Sequence, residues 1–187
     1  MSHTAERLHT IEELPDIPDC YELVDGELIM MMSPAGPIHG HLVMRLGGIL
    51  DAHVAQNHLG MVFGEQTGFI LTRRPDTVRA PDISFVSEAR LPQLGLGDGY
   101  FPGPPDLAVE ILSPSNHLAA MRRKLEQYFA AGTKLAWVID SRERTIVGHA
   151  PRRTPIMLHE SDALDGDDVI PGFHYEIAQL FARVRRD

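Results

Sequence analysis

Three acidic side chains lie in two short apolar segments, where a negative charge is costly unless a cation balances it. Residues 106–112 are apolar except at Asp106 and Glu110. Side chains alternate between the two faces of a strand, so both of these acids lie on one face. Residues 82–86 form a second apolar segment, which begins with Asp82. A carboxylate in such surroundings needs an ion pair or a metal ion.

An antiparallel pairing of the two segments brings Asp82 and Glu110 together. The register that pairs Asp82 with Glu110 also pairs Ser84 with Ala108 and leaves the apolar side chains on a common face. The two carboxylates are then roughly 5 Å apart at their Cβ atoms, which suits shared ligation of a hard divalent cation. Asp106 lies about 13 Å along the strand from Glu110, so it is the weaker candidate for the same ion.

Both acids also have a structural interpretation that the sequence leaves open. Asp82 follows Pro81 and could begin a strand as part of a turn, while Glu110 could pair with a buried arginine. Other catalytic chemistry is not indicated. The chain has ten histidines, but no HExxH pair, no Cys/His zinc spacing and no G-x-S-x-G motif.

Three further side chains are secondary candidates. Glu22 and Glu27 share the polar face of a hairpin that Asp25 and Gly26 predict, and such a face is usually solvated. His39 lies in the first turn of a predicted long helix, on its apolar stripe. Because the helix dipole disfavours a cation there, we expect His39 to be neutral. A structural role for His39, as a hydrogen-bonded core or capping histidine, is at least as good an interpretation as a role in the site.

The elements that position these residues alternate between strands and helices. This order predicts an α/β (α+β) fold with a mixed, largely antiparallel central sheet flanked by helices. Helices are predicted at residues 11–14, 38–59, 118–131 and 175–182. Strands beyond the hairpin are predicted at residues 61–63, 69–72, 82–86, 107–112, 135–139, 145–149 and 156–159.

Composition favours an ordinary globular protein. A chain of 187 residues fits one domain, with a core over about residues 20–182. No membrane span or secretory signal is predicted, and the single cysteine, Cys20, favours a cytoplasmic location. The net charge of -9 argues against a nucleic-acid coat protein. A bound metal ion would change the sign of the potential locally.

Several motifs resemble those of one known family. They are APDISFV at residues 80–86, PDLAVEILSPS at residues 105–115 and KLEQY at residues 124–128, followed by WVID at residues 137–140. Together they resemble the Uma-two family of restriction-endonuclease-like proteins, within the PD-(D/E)XK nuclease superfamily. The likeness extends from YELVDGE at residues 21–27 to PGF at residues 171–173, which is nearly the whole chain.

This resemblance implies a metal-dependent endonuclease that hydrolyses DNA, with a restriction-endonuclease-like fold. Asp82 and Glu110 would bind Mg²⁺ (or Mn²⁺), together with the carbonyl group of Ile111. The ion would polarise the phosphate and lower the pKa of an attacking water. One of the hairpin acids, Glu22 or Glu27, would add a third carboxylate.

The chain departs from the superfamily pattern at one position. Leu112 stands two residues after Glu110, where the superfamily has a lysine. The resemblance assigns that role to Lys124 on the following helix, and Tyr128, one turn later, is a further secondary candidate. Helical phase alone allows either Lys124 or Arg122, and Lys124 could also be a boundary residue whose ammonium reaches solvent. The acidic residue that many family members carry a few positions before this lysine is absent.

Two other functions remain compatible with the sequence. The first is a catalytically inactive binding module that keeps the nuclease fold and acts as a dimeric interaction partner. The second is a metal-dependent hydrolase of another, small phosphodiester. A homodimer would also suit an enzyme that cuts both DNA strands.

Overall fold

The computed structural model describes residues 8–16, 21–30, 36–94, 97, 99–112 and 118–184. Cys20 and Ser113–Pro114–Ser115 of the family motif lie outside these residues. Within the described parts of the chain, no helix combines the length and apolar character needed to cross a membrane.

Twelve strands, four α-helices and a 3₁₀ helix make up the described structure. The 3₁₀ helix is Ile11–Asp16, and the α-helices are α1 (Pro37–Gln56), α2 (Leu91–Leu94), α3 (Leu118–Ala131) and α4 (Ile177–Leu180). The strands are β1 (Tyr21–Val24), β2 (Glu27–Met30), β3 (Gly60–Gly64), β4 (Phe69–Thr72), β5 (Thr77–Arg79), β6 (Ile83–Ser87), β7 (Leu107–Ile111), β8 (Leu135–Asp140), β9 (Thr145–His149), β10 (Ile156–Leu158), β11 (Ala163–Asp165) and β12 (His174–Glu176).

The predicted central sheet is present and has six strands in the order β10-β9-β8-β7-β6-β3. Only β7 and β8 are parallel, and α3 connects them. Side chains such as Phe85 and Val109 face one side and pack against α1 and α4. Ala108 and Ala136 face the other side and pack against α3. The fold is therefore the predicted mixed, largely antiparallel sheet between helices.

The register of β6 and β7 is the predicted one. Ser84 pairs with Ala108 and Ile83 with Val109. Asp82 immediately precedes β6, so this register brings it to the end of β7, beside Glu110. Since Ala108 faces α3, alternation along β7 directs Glu110 toward α3 as well.

A second sheet, in the order β2-β1-β5-β4, was only partly predicted. The hairpin has the expected register, with Tyr21 opposite Met30 and Val24 opposite Glu27. Strand β5, which lies between β1 and β4, was not predicted. At three residues it is too short for side-chain alternation to reveal it.

Several predicted helix boundaries were wrong. Helix α1 ends at Gln56 and not at Leu59, since Asn57 caps it with a hydrogen bond from Nδ2 to the His53 carbonyl (2.8 Å). Gly60 then starts β3 at φ 146°, where a Cβ atom would lie 2.1 Å from a backbone oxygen of β6. Helix α3 begins at Leu118 as predicted, although this side chain is 83% exposed. The last helix begins only at Ile177, because β12 pairs with β11.

Candidate active site

Asp82 lies where the N-terminus of α1, the turn after β3 and the end of β7 meet. Its Oδ2 atom accepts a hydrogen bond of 2.6 Å from the backbone N–H of Ile111. Its Oδ1 atom lies 3.3 Å from Nε2 of His39, and the same nitrogen lies 3.4 Å from Oε1 of Glu65. The hydrogen bond to β7 fixes the carboxylate, so that Oδ1 points toward the histidine.

The expectation that His39 is neutral considered only the helix dipole, but two carboxylates lie beside the imidazole. The Asp82 carboxylate beside the imidazole raises the pKa of His39; burial opposes this effect, and Glu65 adds to it. The helix dipole alone predicts the opposite direction. Two adjacent carboxylates outweigh it.

Glu110 is buried, with an exposed fraction of 5%. Its carboxylate receives Nζ of Lys124 at 2.8 Å and the hydroxyl hydrogen bond of Tyr128 at 2.8 Å. Burial raises the pKa of Glu110 to about 7; Lys124 opposes this rise, while Asp82 and Glu22 add to it. The cation that pairs with Glu110 is thus Lys124, and not the buried arginine that the sequence left open.

Lys124 extends from α3 into the space between two carboxylates. Its Nζ atom lies 3.2 Å from Oε1 of Glu22, in addition to its contact with Glu110. Burial alone would lower the pKa of Lys124, but the two carboxylates raise it above its usual value. Arg122, which helical phase also allowed, is exposed. Of the two candidate cations, the structure therefore places Lys124 beside Glu110.

The two acids of the hairpin have different environments. Glu22 is buried, accepts a 2.7 Å hydrogen bond from Nη1 of Arg79, and accepts another from the backbone N–H of Ala80. Burial would raise the pKa of Glu22, but Lys124 and Arg79 lower it below its usual value. Glu27 is exposed. Glu22 is therefore buried and not solvated as expected, because α3 covers its carboxylate.

Asp106 lies at the opposite end of β7 and has its own cations. Its carboxylate contacts Lys134 at 2.8 Å and Arg90 at 3.2 Å, and it accepts the backbone N–H of Ser87. Burial would raise the pKa of Asp106, yet the Lys134 and Ser87 hydrogen bonds lower it. Asp106 therefore connects the start of β7 to these three residues, away from Asp82 and Glu110.

Two residues that contact these side chains were not among the predicted site residues. Glu65 lies in the turn between β3 and β4, where no periodic pattern marks it. Arg79 is buried and also donates from Nε and Nη2 to Oε1 of Gln127 on α3, at 3.0 and 2.6 Å. Its position two residues before Pro81, next to the Asp82 motif, was the available signal.

The donor atoms around Asp82 fit a divalent cation. One ligand-type atom from each of His39, Glu65 and Asp82 lies within 4.8 Å of the other two. Two carboxylates and one imidazole are hard to borderline donors. The carboxylate of Glu110 interacts electrostatically with that of Asp82. In the structure, the backbone amide of Ile111 contacts Asp82 and orients its carboxylate.

Comparison with solved structures supports the fold. The chain is similar to a protein of Anabaena variabilis ATCC 29413 whose crystal structure is described as that of a "putative nuclease belonging to DUF820", with a TM-score of 0.80 and 22% identity. The match covers 94% of this chain and 99% of that one. No curated protein matches the chain.

The sequence itself matches a family profile over nearly its whole length. The profile is that of Uma2, described as "Putative restriction endonuclease", and the match spans residues 8–179. That range includes the strand pair carrying Asp82 and Glu110 and the helix carrying Lys124. With this match and the shared nuclease fold, the chain belongs to the Uma2 family.

Proposed function

We propose that this protein is a metal-dependent endonuclease that hydrolyses phosphodiester bonds in DNA, using Mg²⁺ or Mn²⁺. The observation that carries the proposal is the contact of Lys124 with Glu110, one residue before Ile111, whose amide fixes Asp82. Two acids and one lysine from three elements thus form one group.

Asp82 and Glu110 are the proposed ligands of the ion, together with the carbonyl group of Ile111. When bound, the ion supplies positive charge at the phosphate and lowers the pKa of a water molecule. The hydrogen bond from the Ile111 amide holds Asp82 in one orientation before any ligand arrives. Such preorganisation reduces the reorganisation needed on binding.

Lys124 takes the place of the lysine that the superfamily carries at the position of Leu112. Leu112 packs against the apolar group of α3 that includes Met121 and Leu125. Because the pKa of Lys124 is raised, its ammonium stays protonated at neutral pH. We propose that it donates hydrogen bonds to a phosphate oxygen and stabilises the charge that develops there. It would be a poor proton acceptor.

Tyr128 and Glu22 act on the position of these groups. The Tyr128 hydroxyl holds one oxygen of Glu110, and Glu22 contacts the ammonium of Lys124 beside Glu110. Arg79 fixes Glu22 in turn. This buried arrangement keeps a cation next to the acids in a protein whose net charge of -9 repels DNA.

The test is cleavage of supercoiled DNA by the purified protein with Mg²⁺, with Mn²⁺ and with a chelator. We expect cleavage only with a metal ion, and a loss of at least about 10³-fold in Asp82→Asn and Glu110→Gln. Glu126→Gln, which removes an exposed acid of α3, is the matched control and should keep full activity. Metal-dependent cleavage that survives both site substitutions would disprove the assignment.

A binding module without chemistry is the second candidate. The leucine at position 112 favours it, since a superfamily residue with a catalytic role is replaced. This candidate predicts that the folded protein cuts neither DNA nor RNA with either ion. It also predicts that Mg²⁺ does not raise the melting temperature, because no ion binds the folded state selectively.

A further inference from the structure

Three ligand-type side chains converge at the edge of the site that faces α1. His39 comes from the first turn of α1, Glu65 from the turn after β3, and Asp82 from the residue before β6. Nε2 of His39 lies 3.3 Å from Oδ1 of Asp82 and 3.4 Å from Oε1 of Glu65. The glutamate is half exposed and the histidine is mostly buried, so the group opens to solvent on one side.

We propose that His39 and Glu65 bind the same divalent ion as Asp82, and that the imidazole makes this site prefer Mn²⁺ over Mg²⁺. The inference rests on the metal dependence proposed above and names two ligands that the acidic pair alone does not provide.

The spacing fits ligation better than direct hydrogen bonding. Charge-assisted hydrogen bonds between nitrogen and a carboxylate are typically about 2.7–2.9 Å long, whereas both contacts of Nε2 are longer. Both contacts also use the same nitrogen, so a single N–H would have to be shared between two oxygens. Neighbouring ligands about 2.1 Å from a shared ion lie roughly 3.0–3.4 Å apart in octahedral or tetrahedral geometry. The observed separations match that arrangement.

The orientation of Asp82 supports the same conclusion. Its Oδ2 atom is engaged by the Ile111 amide, which leaves Oδ1 directed toward His39 and Glu65. Partners that hold a ligating group in one orientation are typical of metal sites. Here the strand β7 supplies that partner, so the ligand atom is placed by the sheet itself.

The donor set determines the preference. Mg²⁺ prefers oxygen ligands and keeps several waters. Carboxylates suit both Mg²⁺ and Mn²⁺, whereas an imidazole nitrogen suits first-row transition ions better than Mg²⁺. One nitrogen and two carboxylate oxygens therefore favour Mn²⁺, and removing the nitrogen should reduce that preference.

Calorimetric titration of MnCl₂ and MgCl₂ into the chelator-treated protein tests the inference. We expect the wild type to bind Mn²⁺ about tenfold or more tightly than Mg²⁺, and both His39→Ala and Glu65→Gln to weaken Mn²⁺ binding by about tenfold or more. His41→Ala is the matched control: this histidine is two residues away on α1 and exposed, and its loss should change Mn²⁺ affinity less than about twofold. Electron spin echo spectroscopy of bound Mn²⁺ should show coupling to ¹⁴N in the wild type and lose it in His39→Ala.

Folding is checked by circular dichroism, and the exposed position of Glu65 keeps the test decisive if His39→Ala unfolds. Unchanged Mn²⁺ affinity in the folded variants, or no ¹⁴N coupling in the wild type, would overturn the inference. If DNA cleavage still requires a metal ion in that case, the proposed function stands without it. If the wild type binds Mn²⁺ through nitrogen but cuts no nucleic acid, the inference is supported and the proposed function fails.

Discussion

Replacing Glu110 with glutamine should change how the stability of this protein depends on pH. Burial raises the pKa of Glu110 from 4.5 to about 7. The folded state therefore binds this proton more tightly than the unfolded chain does. The resulting stabilisation is complete below pH 4.5 and is lost as the pH rises through 7. At about 1.36 kcal/mol per pKa unit, the loss is about 3 kcal/mol.

Urea unfolding between pH 4.5 and 8, with a chelator present, measures this loss. The free energy of unfolding of Glu110→Gln minus that of the wild type should rise by about 3 kcal/mol across this range. The comparison is independent of any constant cost of losing the contact with Lys124. Glu126→Gln, an exposed acid on the same helix, should show a nearly constant difference. A difference for Glu110→Gln that stays constant within about 1 kcal/mol would refute the buried-carboxylate account.

Two further substitutions test the contacts that support the site. Arg79→Met should lower the free energy of unfolding by about 3–5 kcal/mol, because Glu22 then stays buried without its guanidinium. Arg73→Met, at an exposed ion pair, should cost less than about 1 kcal/mol, and equal losses for the two would contradict this reasoning. Tyr128→Phe should cost about 1–3 kcal/mol in urea unfolding, since Glu110 loses a buried donor; a cost near zero would show that the hydroxyl is replaceable.

The strand pair of the site could be predicted because apolar side chains mark its core face. Ile83, Phe85 and Val109 share that face, and the pairing of Ser84 with Ala108 keeps them in phase. Helix α3 was equally well marked, since its apolar period ends at Gly132, where φ is 116°. Strand β5 and the end of α1 had no such signal. One is three residues long, and the other is set by Asn57 and not by a glycine.

The environment of the acids could not be predicted from their local segments. Glu22 lies on a hairpin face that is polar in sequence, and it is buried against Arg79 of β5 and Lys124 of α3. Glu65 lies in an irregular turn and meets Asp82 through the pairing of β3 with β6. His39 was judged by the helix dipole alone, whereas two carboxylates from distant parts of the chain determine its pKa. Tertiary contacts decide such properties.

The most direct test of the central claim is the single-turnover rate of DNA cleavage by Lys124→Met and by the wild type, in the same Mg²⁺ concentration. Lys124 is proposed to supply the positive charge that the position of Leu112 lacks. We expect metal-dependent cleavage by the wild type and a rate at least about 10²-fold lower in the folded variant. Cleavage by Lys124→Met at the wild-type rate, or no cleavage by the wild type with Mg²⁺ or Mn²⁺, would contradict it.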